Sequence, residues 1–318
     1  MFEPFFRLVE NPFSMSPDPR FLMATVLHRE AIAGLIYGVT ERKGFMVLTG
    51  EAGTGKTTVL RAVADALPDT VQFSYVLNPA MSPNELLEHT LLDMGIDDVP
   101  KSKARRMFCL GDLLSERHRD GKVSALIVDE AHKLTPKVLE EIRLLTNFET
   151  NTEKMLQIVL VGQPELGDLL QLPDLRQLKQ RIALRFKVTP LALEEVPRYV
   201  EHRWAKAGGE GKPPFSGEAL QMITQHSQGI PRLINALCEN SLLAAFAAGS
   251  HTVGPAHVEG VADNLDLSKE VQVEPPRIAA IETGPLAAAE SGEIPHLDRD
   301  AAKKTEGRHW LKRLSVAR

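Results

Sequence analysis

The feature that most constrains the fold is a glycine-rich octapeptide that begins at Gly50 and ends at Thr57. It has the pattern Gly-x-x-x-x-Gly-Lys-Thr, an apolar stretch over 45–49 precedes it, and a helix is predicted from Lys56. A strand, this loop and a helix in that order form a phosphate-binding loop, in which backbone N–H groups and the helix N-terminus face phosphate oxygens. The residues predicted to bind a nucleotide are Gly50, Glu51, Ala52, Gly53, Thr54, Gly55, Lys56, Thr57 and Thr58.

Two carboxylates follow a second apolar segment. The stretch over 123–128 is uniformly apolar, as in a strand buried on both faces, and Asp129 and Glu130 come directly after it. Because buried carboxylates are costly without a cation nearby, we predict that Asp129 joins Thr57 at Mg²⁺. Glu130 is predicted to polarise a water for attack on a γ-phosphate, and Lys56 to reach the β- and γ-phosphates. The predicted ligands are ATP and Mg²⁺; a strand end that meets solvent is the alternative.

Strands and helices alternate up to about Pro190, and only helices are predicted beyond it. The alternation favours an α/β domain of three layers, α/β/α, with a parallel sheet, followed by a small all-α domain. We predict an irregular N-terminal arm over 1–27, a nucleotide-binding domain over 28–190 and a helical lid domain over 191–267. Over 268–318 the periodicity stops and Pro-Pro and Gly-Pro pairs occur, so we predict a disordered tail.

Local patterns set the expected bounds of single elements. Apolar positions with a period near 3.6 predict a first helix from His28 to about Arg42. A capping box with proline at the first helical position predicts a helix start at Ser82. A short fifth strand is predicted over 186–189. The lid helices are predicted over 194–207, 216–227, 231–248 and 255–264.

Composition excludes several other classes of protein. The 318 residues carry a net charge of −5 and are 43% hydrophobic, as in an ordinary globular protein rather than a strongly basic nucleic-acid binder. The first ten residues lack the basic start and apolar core of a signal peptide, and no apolar run approaches the roughly 20 residues that span a bilayer. Cys109 and Cys238 have no metal-like spacing and are predicted to be reduced thiols. We therefore expect a cytoplasmic protein.

Seven segments, in order, give the chain a resemblance to a known family. Over about residues 1–267 it resembles the AAA+ ATPases of the ExeA/GspA type, which are general secretion pathway protein A-like, and their pilus- and exosortase-associated relatives. It is similar, less closely, to ATPase regulators of DNA transposition. The segments include Asn11-Pro12-Phe13, His28-Arg29-Glu30-Ala31, Gly44-Phe45, Val128-Asp129-Glu130-Ala131-His132, Val161-Gly162-Gln163-Pro164, Leu178-Lys179-Gln180-Arg181 and Gly229-Ile230-Pro231-Arg232.

The resemblance implies roles for four further positions. Gln163 would be the polar sensor-1 residue beside the γ-phosphate, with a turn before proline as the alternative. Arg181 would be the arginine finger that reaches a neighbour's nucleotide, with Arg185 as second choice and an ordinary basic surface as the alternative. Arg232 would be the sensor-2 arginine of the lid, or else an arginine at a plain helix start. Asn78 would hold the catalytic glutamate inactive, or would simply form a turn with its proline.

The resemblance also implies partners. An arginine finger implies an ATP-dependent homo-oligomer, and the family implies secretion, export or pilus-assembly machinery. ExeA-type proteins carry a transmembrane segment and a peptidoglycan-binding domain after the ATPase, and neither is predicted in these 318 residues. A stand-alone cytoplasmic ATPase fits better, with peripheral attachment at the inner membrane as an option. Trp310, Leu311 and Leu314 share a predicted helical face that would suit a membrane or partner contact; a solvated tail is the alternative.

The transposition-type resemblance keeps a second function open, that of an ATP-dependent DNA-binding regulator. It requires a basic surface, for which a solvated helix face is the favoured alternative. A third option is a nucleotide switch that binds without hydrolysing, against which the intact Lys56, Asp129 and Glu130 argue. The candidate DNA contacts are Lys101, Lys103, Arg105, Arg106, Arg117, Arg119 and Lys122.

Overall fold

The computed structural model describes residues 1–77 and 80–267. These residues fall within one compact unit. The predictions for Asn78 and for the tail over 268–318, including its Trp310 face, lie outside the described residues.

Five parallel strands form a single sheet within the described residues. Across the sheet their order is β2-β3-β4-β1-β5. The carboxyl ends of β1, β4 and β3 are therefore neighbours, which brings the glycine-rich loop, Gln163 and Asp129 to the same edge, where ligands of parallel sheets bind. The predicted α/β class with a parallel sheet is confirmed. The strands are β1 Phe45–Gly50, β2 Val71–Val76, β3 Val123–Val128, β4 Leu156–Gly162 and β5 Ile182–Val188.

Helices cover the sheet and then continue without strands. Those that accompany the sheet are α1 Val26–Thr40, α2 Lys56–Ala66, α3 Pro83–Asp93, α4 Lys103–Arg119, α5 Pro136–Leu145, α6 Glu165–Leu169 and α7 Arg176–Lys179. Those that follow it are α8 Val196–Lys206, α9 Gly217–Ser227, α10 Pro231–Ala247 and α11 Pro255–Asn264. Within the described ranges, none of these helices has the length and apolar character that a membrane span requires.

The last strand is longer than the sequence predicted. It begins at Ile182, four residues before the strand predicted over 186–189. β5 lies at the sheet edge, so its residues alternate: Ile182, Leu184 and Phe186 are half-buried, whereas Arg185 is exposed. An edge strand lacks the continuous apolar run of a strand buried on both faces, so its start is not marked in the sequence.

The first helix begins at Val26 rather than at His28. Thr25 precedes it and accepts the backbone N–H of His28 through its hydroxyl. The His28 ring in turn accepts the backbone N–H of Thr25, which completes a capping box. The same cap draws the His28 side chain inward, where it is 2% exposed.

The described residues have two hydrophobic clusters, one around the sheet and one among the later helices. The N-terminal arm packs into the second cluster, although it precedes the sheet in sequence. Phe2, Phe6 and Phe13 are buried there, and the Phe13 ring meets Phe215 edge to face at 6.1 Å. The aromatic residues of the arm thus secure it to the helical region.

Candidate nucleotide-binding site

The loop between β1 and α2 has the backbone that phosphate binding requires. Gly53 and Gly55 have φ angles of 80° and 97°, in the left-handed region that glycine enters freely. A Cβ at Gly53 would lie 2.7 Å from the Cβ of Arg232, so a glycine is also needed for close approach of α10. Because the first N–H groups of a helix have no partner within it, the start of α2 offers donors and a favourable dipole to an anion.

Lys56 is a buried cation, 6% exposed. Its ammonium donates to the carbonyl oxygens of Gly50 and Glu51, both at 2.8 Å. Burial lowers the pKa of Lys56, and the nearby carboxylates, Asp129 foremost, oppose that shift. Both of its hydrogen-bond partners among the described residues are neutral carbonyl groups, so an anionic ligand in direct contact with the ammonium would be stabilised here.

Asp129 lies beside two hydroxyl groups. Its Oδ2 accepts from Thr57 Oγ1 at 3.3 Å and from Tyr75 Oη at 3.1 Å, while Oδ1 accepts the Glu130 N–H at 2.8 Å. Burial raises the pKa of Asp129, and the Glu130 carboxylate adds to that effect. A carboxylate paired with a threonine hydroxyl supplies the hard oxygen ligands that Mg²⁺ prefers, so these residues fit the ion. Tyr75, inside β2, carried no motif that would have revealed it.

Glu130 and Gln163 lie at the ends of adjacent strands and line one cavity with the glycine-rich loop. Glu130 has a φ of 54°, unusual for a residue with a side chain, and its Oε2 is 3.0 Å from Lys133 Nζ. The backbone N–H of Gln163 donates to His132 Nδ1 at 3.3 Å. Glu130 and Gln163, both predicted as site residues, are thus brought together, with His132 between them.

The cavity has a volume of about 440 Å³, within the usual range for a small-molecule site. Residues 52–58 of the loop, with Glu130 and Gln163, form one part of its lining, which we call the phosphate end. The other part, which we call the arm end, comes from parts of the N-terminal arm over 14–23 and from Tyr199, Arg203 and Asn235 of α8 and α10, while Arg232 of α10 contacts the loop itself. His28 also lines the cavity, and its Nε2–H donates to the Thr54 carbonyl at 3.3 Å. The sequence indicated no site role for the arm.

A buried arginine fastens the arm to the helices. Arg203, on α8, is 7% exposed and donates to the carbonyl oxygens of Pro12 and, at 3.3 Å, Ser14. It also donates to the Tyr199 hydroxyl at 3.0 Å, and that hydroxyl donates to Asn235 Oδ1 at 2.9 Å. No carboxylate pairs with Arg203 among the described residues, so backbone carbonyl groups of the arm take that place.

Comparison with known proteins agrees with this geometry. Residues 39–170 match the family model of the AAA domain. The chain therefore contains an AAA domain over these residues. Among solved AAA+ structures, Cdc6p from Pyrobaculum aerophilum superposes with a TM-score of 0.61 at 21% identity, covering 81% of this chain and 71% of that one. The Aeropyrum pernix ORC2 protein, in its ADPNP–ADP complexes, gives 0.60 at 15% identity, covering 80% and 71%. At these identities the likeness shows the fold alone.

A curated relative with higher identity extends the match beyond the AAA+ core. General secretion pathway protein A of Aeromonas hydrophila is 45% identical over 257 residues. Those residues are 80% of this chain and 46% of the relative, so the chain spans about half of that protein's length. The resemblance inferred from the seven motifs is confirmed.

The two arginines that the resemblance singled out lie in different places in the AAA+ structure. Arg232, at the start of α10, lines the cavity, and its backbone N–H donates to the Gly53 carbonyl at 3.2 Å. Arg181 is not among the residues that line the described cavity. Its guanidinium donates to Thr146 Oγ1 and, at 2.6 Å, to Asn147 Oδ1, both just beyond the end of α5.

Several of the basic residues predicted to contact DNA have partners within the AAA+ structure. Arg106 is 9% exposed and pairs with Glu88 at 2.7 Å. Lys103 pairs with Glu141 at 2.5 Å. Arg117 donates to a hydroxyl group of β3 at 2.8 Å. These side chains have structural roles, which reduces the charge available to a DNA backbone.

Proposed function

We propose that this AAA+ protein binds ATP with Mg²⁺ and hydrolyses it. The observation that carries the proposal is the convergence of Lys56, Thr57 and Glu130 on one cavity, with Asp129 bonded to Thr57. Lys56 would offset charge on the β- and γ-phosphates. Thr57 and Asp129 would hold Mg²⁺, which when bound supplies charge neutralisation to the phosphates. Glu130 would accept a proton from the attacking water.

Gln163, Arg232 and Arg181 complete the proposed mechanism. Gln163 lies beside Glu130 in the cavity and is suited to contact the γ-phosphate. Arg232 would couple that phosphate to α10, since its own backbone already bonds to the loop. Arg181 would act on a neighbouring protomer, because its place near the end of α5 is outside the cavity of its own chain. A homo-oligomer that assembles with ATP follows from this arrangement.

A role in assembling or energising a secretion or envelope export system is the second part of the proposal. It is supported by the similarity to general secretion pathway protein A. The protein would work in the cytoplasm or at the inner-membrane periphery, next to export or pilus-assembly machinery. An ATP-dependent DNA-binding regulator is the alternative, and the internal partners of Lys103, Arg106 and Arg117 weigh against it.

ATP turnover as a function of protein concentration tests the proposal. We expect turnover per protomer to rise steeply with concentration, to be lost in Glu130→Gln with nucleotide binding retained, and to fall in Arg181→Ala without loss of binding. Duplex DNA is expected to leave turnover unchanged. Tight ATP binding with no turnover under any condition would contradict hydrolysis, and stimulation by DNA would favour the regulator.

A further inference from the structure

His132 is the residue of the Asp-Glu-Ala-His segment to which the proposed mechanism assigns no part. It lies in a short 3-10 turn, Ala131–Lys133, directly after β3, and its side chain is 11% exposed. A Cβ at Gly162, the last residue of β4, would lie 3.1 Å from the His132 backbone nitrogen. The turn and the strand end are therefore packed closely, and the ring is held between Glu130 and Gln163.

The protonation pattern of the ring follows from its backbone contact. His132 Nδ1 lies 3.3 Å from the backbone nitrogen of Gln163, which can only donate. Nδ1 must then be the unprotonated acceptor, so the neutral ring carries its proton on Nε2. The main chain at the end of β4 thereby selects the tautomer.

That tautomer determines the orientation of the Gln163 amide, whose Nε2 lies 3.3 Å from His132 Nε2 in the structure. With the amide nitrogen at that position two donors would meet, so the bonded orientation is the one in which Oε1 accepts from Nε2–H. The amide NH₂ group then lies on the side away from the ring. It is a donor, as contact with a phosphate oxygen requires.

We infer that His132 is a positioning residue that turns the Gln163 amide so that its NH₂ group meets the γ-phosphate of a bound nucleoside triphosphate. The same Nε2–H lies 3.7 Å from Glu130 Oε2, so one ring links the proposed general base to the proposed phosphate sensor. The inference rests on the proposed function, because it assumes a triphosphate in this cavity. Its signature is discrimination between ATP and ADP, since only ATP presents a γ-phosphate.

The test measures, with the full chain and Mg²⁺, the affinity for fluorescent ADP and for a non-hydrolysable ATP analogue. We expect His132→Phe, which keeps an aromatic ring but has no ring nitrogens, to lower the preference for the ATP analogue about 10–150-fold, the effect of one lost hydrogen bond to a charged group. ADP affinity is expected to stay within about 2-fold, because the diphosphate does not reach Gln163. His132→Gln keeps a donor amide and is expected to restore most of the preference.

Coupling to Gln163 separates positioning from a general structural effect. Gln163→Ala is expected to lower the preference as much as His132→Phe, and the double variant no further. His118→Phe, which changes a histidine in the last turn of α4 that does not line the cavity, serves as the matched control. Wild-type preference in His132→Phe, additive effects of the two changes, or a wild type that does not prefer ATP would each overturn the inference.

Turnover measured on the same samples keeps the two proposals apart. A wild type that prefers the ATP analogue but does not release phosphate sinks hydrolysis, while the affinity ratios still decide the role of His132. If instead the wild type turns over ATP normally and His132→Phe has the wild-type ratio of ATP-analogue to ADP affinity, hydrolysis stands and the role of His132 is overturned. If His132→Phe does not fold, as judged by its thermal unfolding, the comparison of His132→Gln with Gln163→Ala carries the test.

Discussion

The two ends of the nucleotide cavity are built differently. The phosphate end consists of short contiguous segments, residues 52–58 of the loop and Glu130, with Asp129 bonded to Thr57. The other end joins the arm over 14–23 to α8 and α10, segments more than 150 residues apart in sequence. Phosphate and Mg²⁺ require a particular residue type at each position. The arm contributes backbone carbonyl groups and buried rings, which many sequences can supply.

The largest effect is expected at the phosphate end. Lys56→Ala removes the one ammonium that the cavity lining of the described residues contains, and we expect nucleotide affinity to fall at least ~100-fold. Without nucleotide the thermal midpoint is expected to change little, but the rise that ATP causes in the wild type should disappear. Calorimetric titration measures the affinity, and thermal unfolding measures the midpoint with and without ATP. Lys43→Ala, an exposed lysine over the Tyr37 ring, should bind like the wild type; weakened binding in it would contradict the assignment.

A change in the arm is expected to act through stability instead. Phe13 is fully buried, and Phe13→Ala should lower the free energy of unfolding by about 3–5 kcal/mol. Phe108→Ala removes a ring that is 75% exposed and should leave the free energy unchanged. Denaturant unfolding distinguishes them. Equal effects of the two changes would mean that the arm is not part of the helical core.

Arg203→Lys is expected to have a smaller effect on both properties. Lysine cannot reproduce the planar fork that reaches Pro12, Ser14 and Tyr199, so we expect a loss of about 1–3 kcal/mol in stability and weaker nucleotide binding. Arg198→Lys, at an exposed position of the same helix, is the control. Weakened binding without any loss of stability would mean that Arg203 contacts the nucleotide itself rather than holding the arm.

The smallest effect is a pH dependence at Asp129. Burial raises its folded pKa above the ordinary value of 3.8, so between those two pKa values the native state binds more protons than the unfolded chain. The free energy of unfolding therefore falls as the pH rises through that window, and Asp129→Asn removes this slope. Without Mg²⁺, the thermal midpoint of Asp129→Asn relative to that of the wild type should be higher at about pH 7.5 than at about pH 4. A midpoint difference between variant and wild type that is the same at both pH values would contradict a pKa of Asp129 raised by burial.

The sequence was sufficient for the parallel sheet, because each strand and helix shows its own pattern within about ten residues. The nucleotide contacts of the loop and of Asp129 and Glu130 stay predictions, although the fold brings these residues together. The sequence was insufficient for the start of β5, because half-buried and exposed residues, among them Arg185, alternate along that edge strand. It could not reveal Tyr75 or Arg203 either, since each has its role only through a partner brought close by the fold. The roles of Gln163, Arg181 and Arg232 came from the resemblance and stay predictions, as do the domain boundaries.

Amide hydrogen exchange with and without ATP and Mg²⁺ tests the central claim most directly, namely that both ends of the cavity enclose one nucleotide. The Glu130→Gln protein is suited to the measurement, because it is expected to hold ATP without turnover. We expect slower exchange both over 50–58 and in the arm over 14–23, with 101–122, which do not line the cavity, unchanged. Protection of the loop alone, with the arm exchanging as fast as before, would contradict the claim.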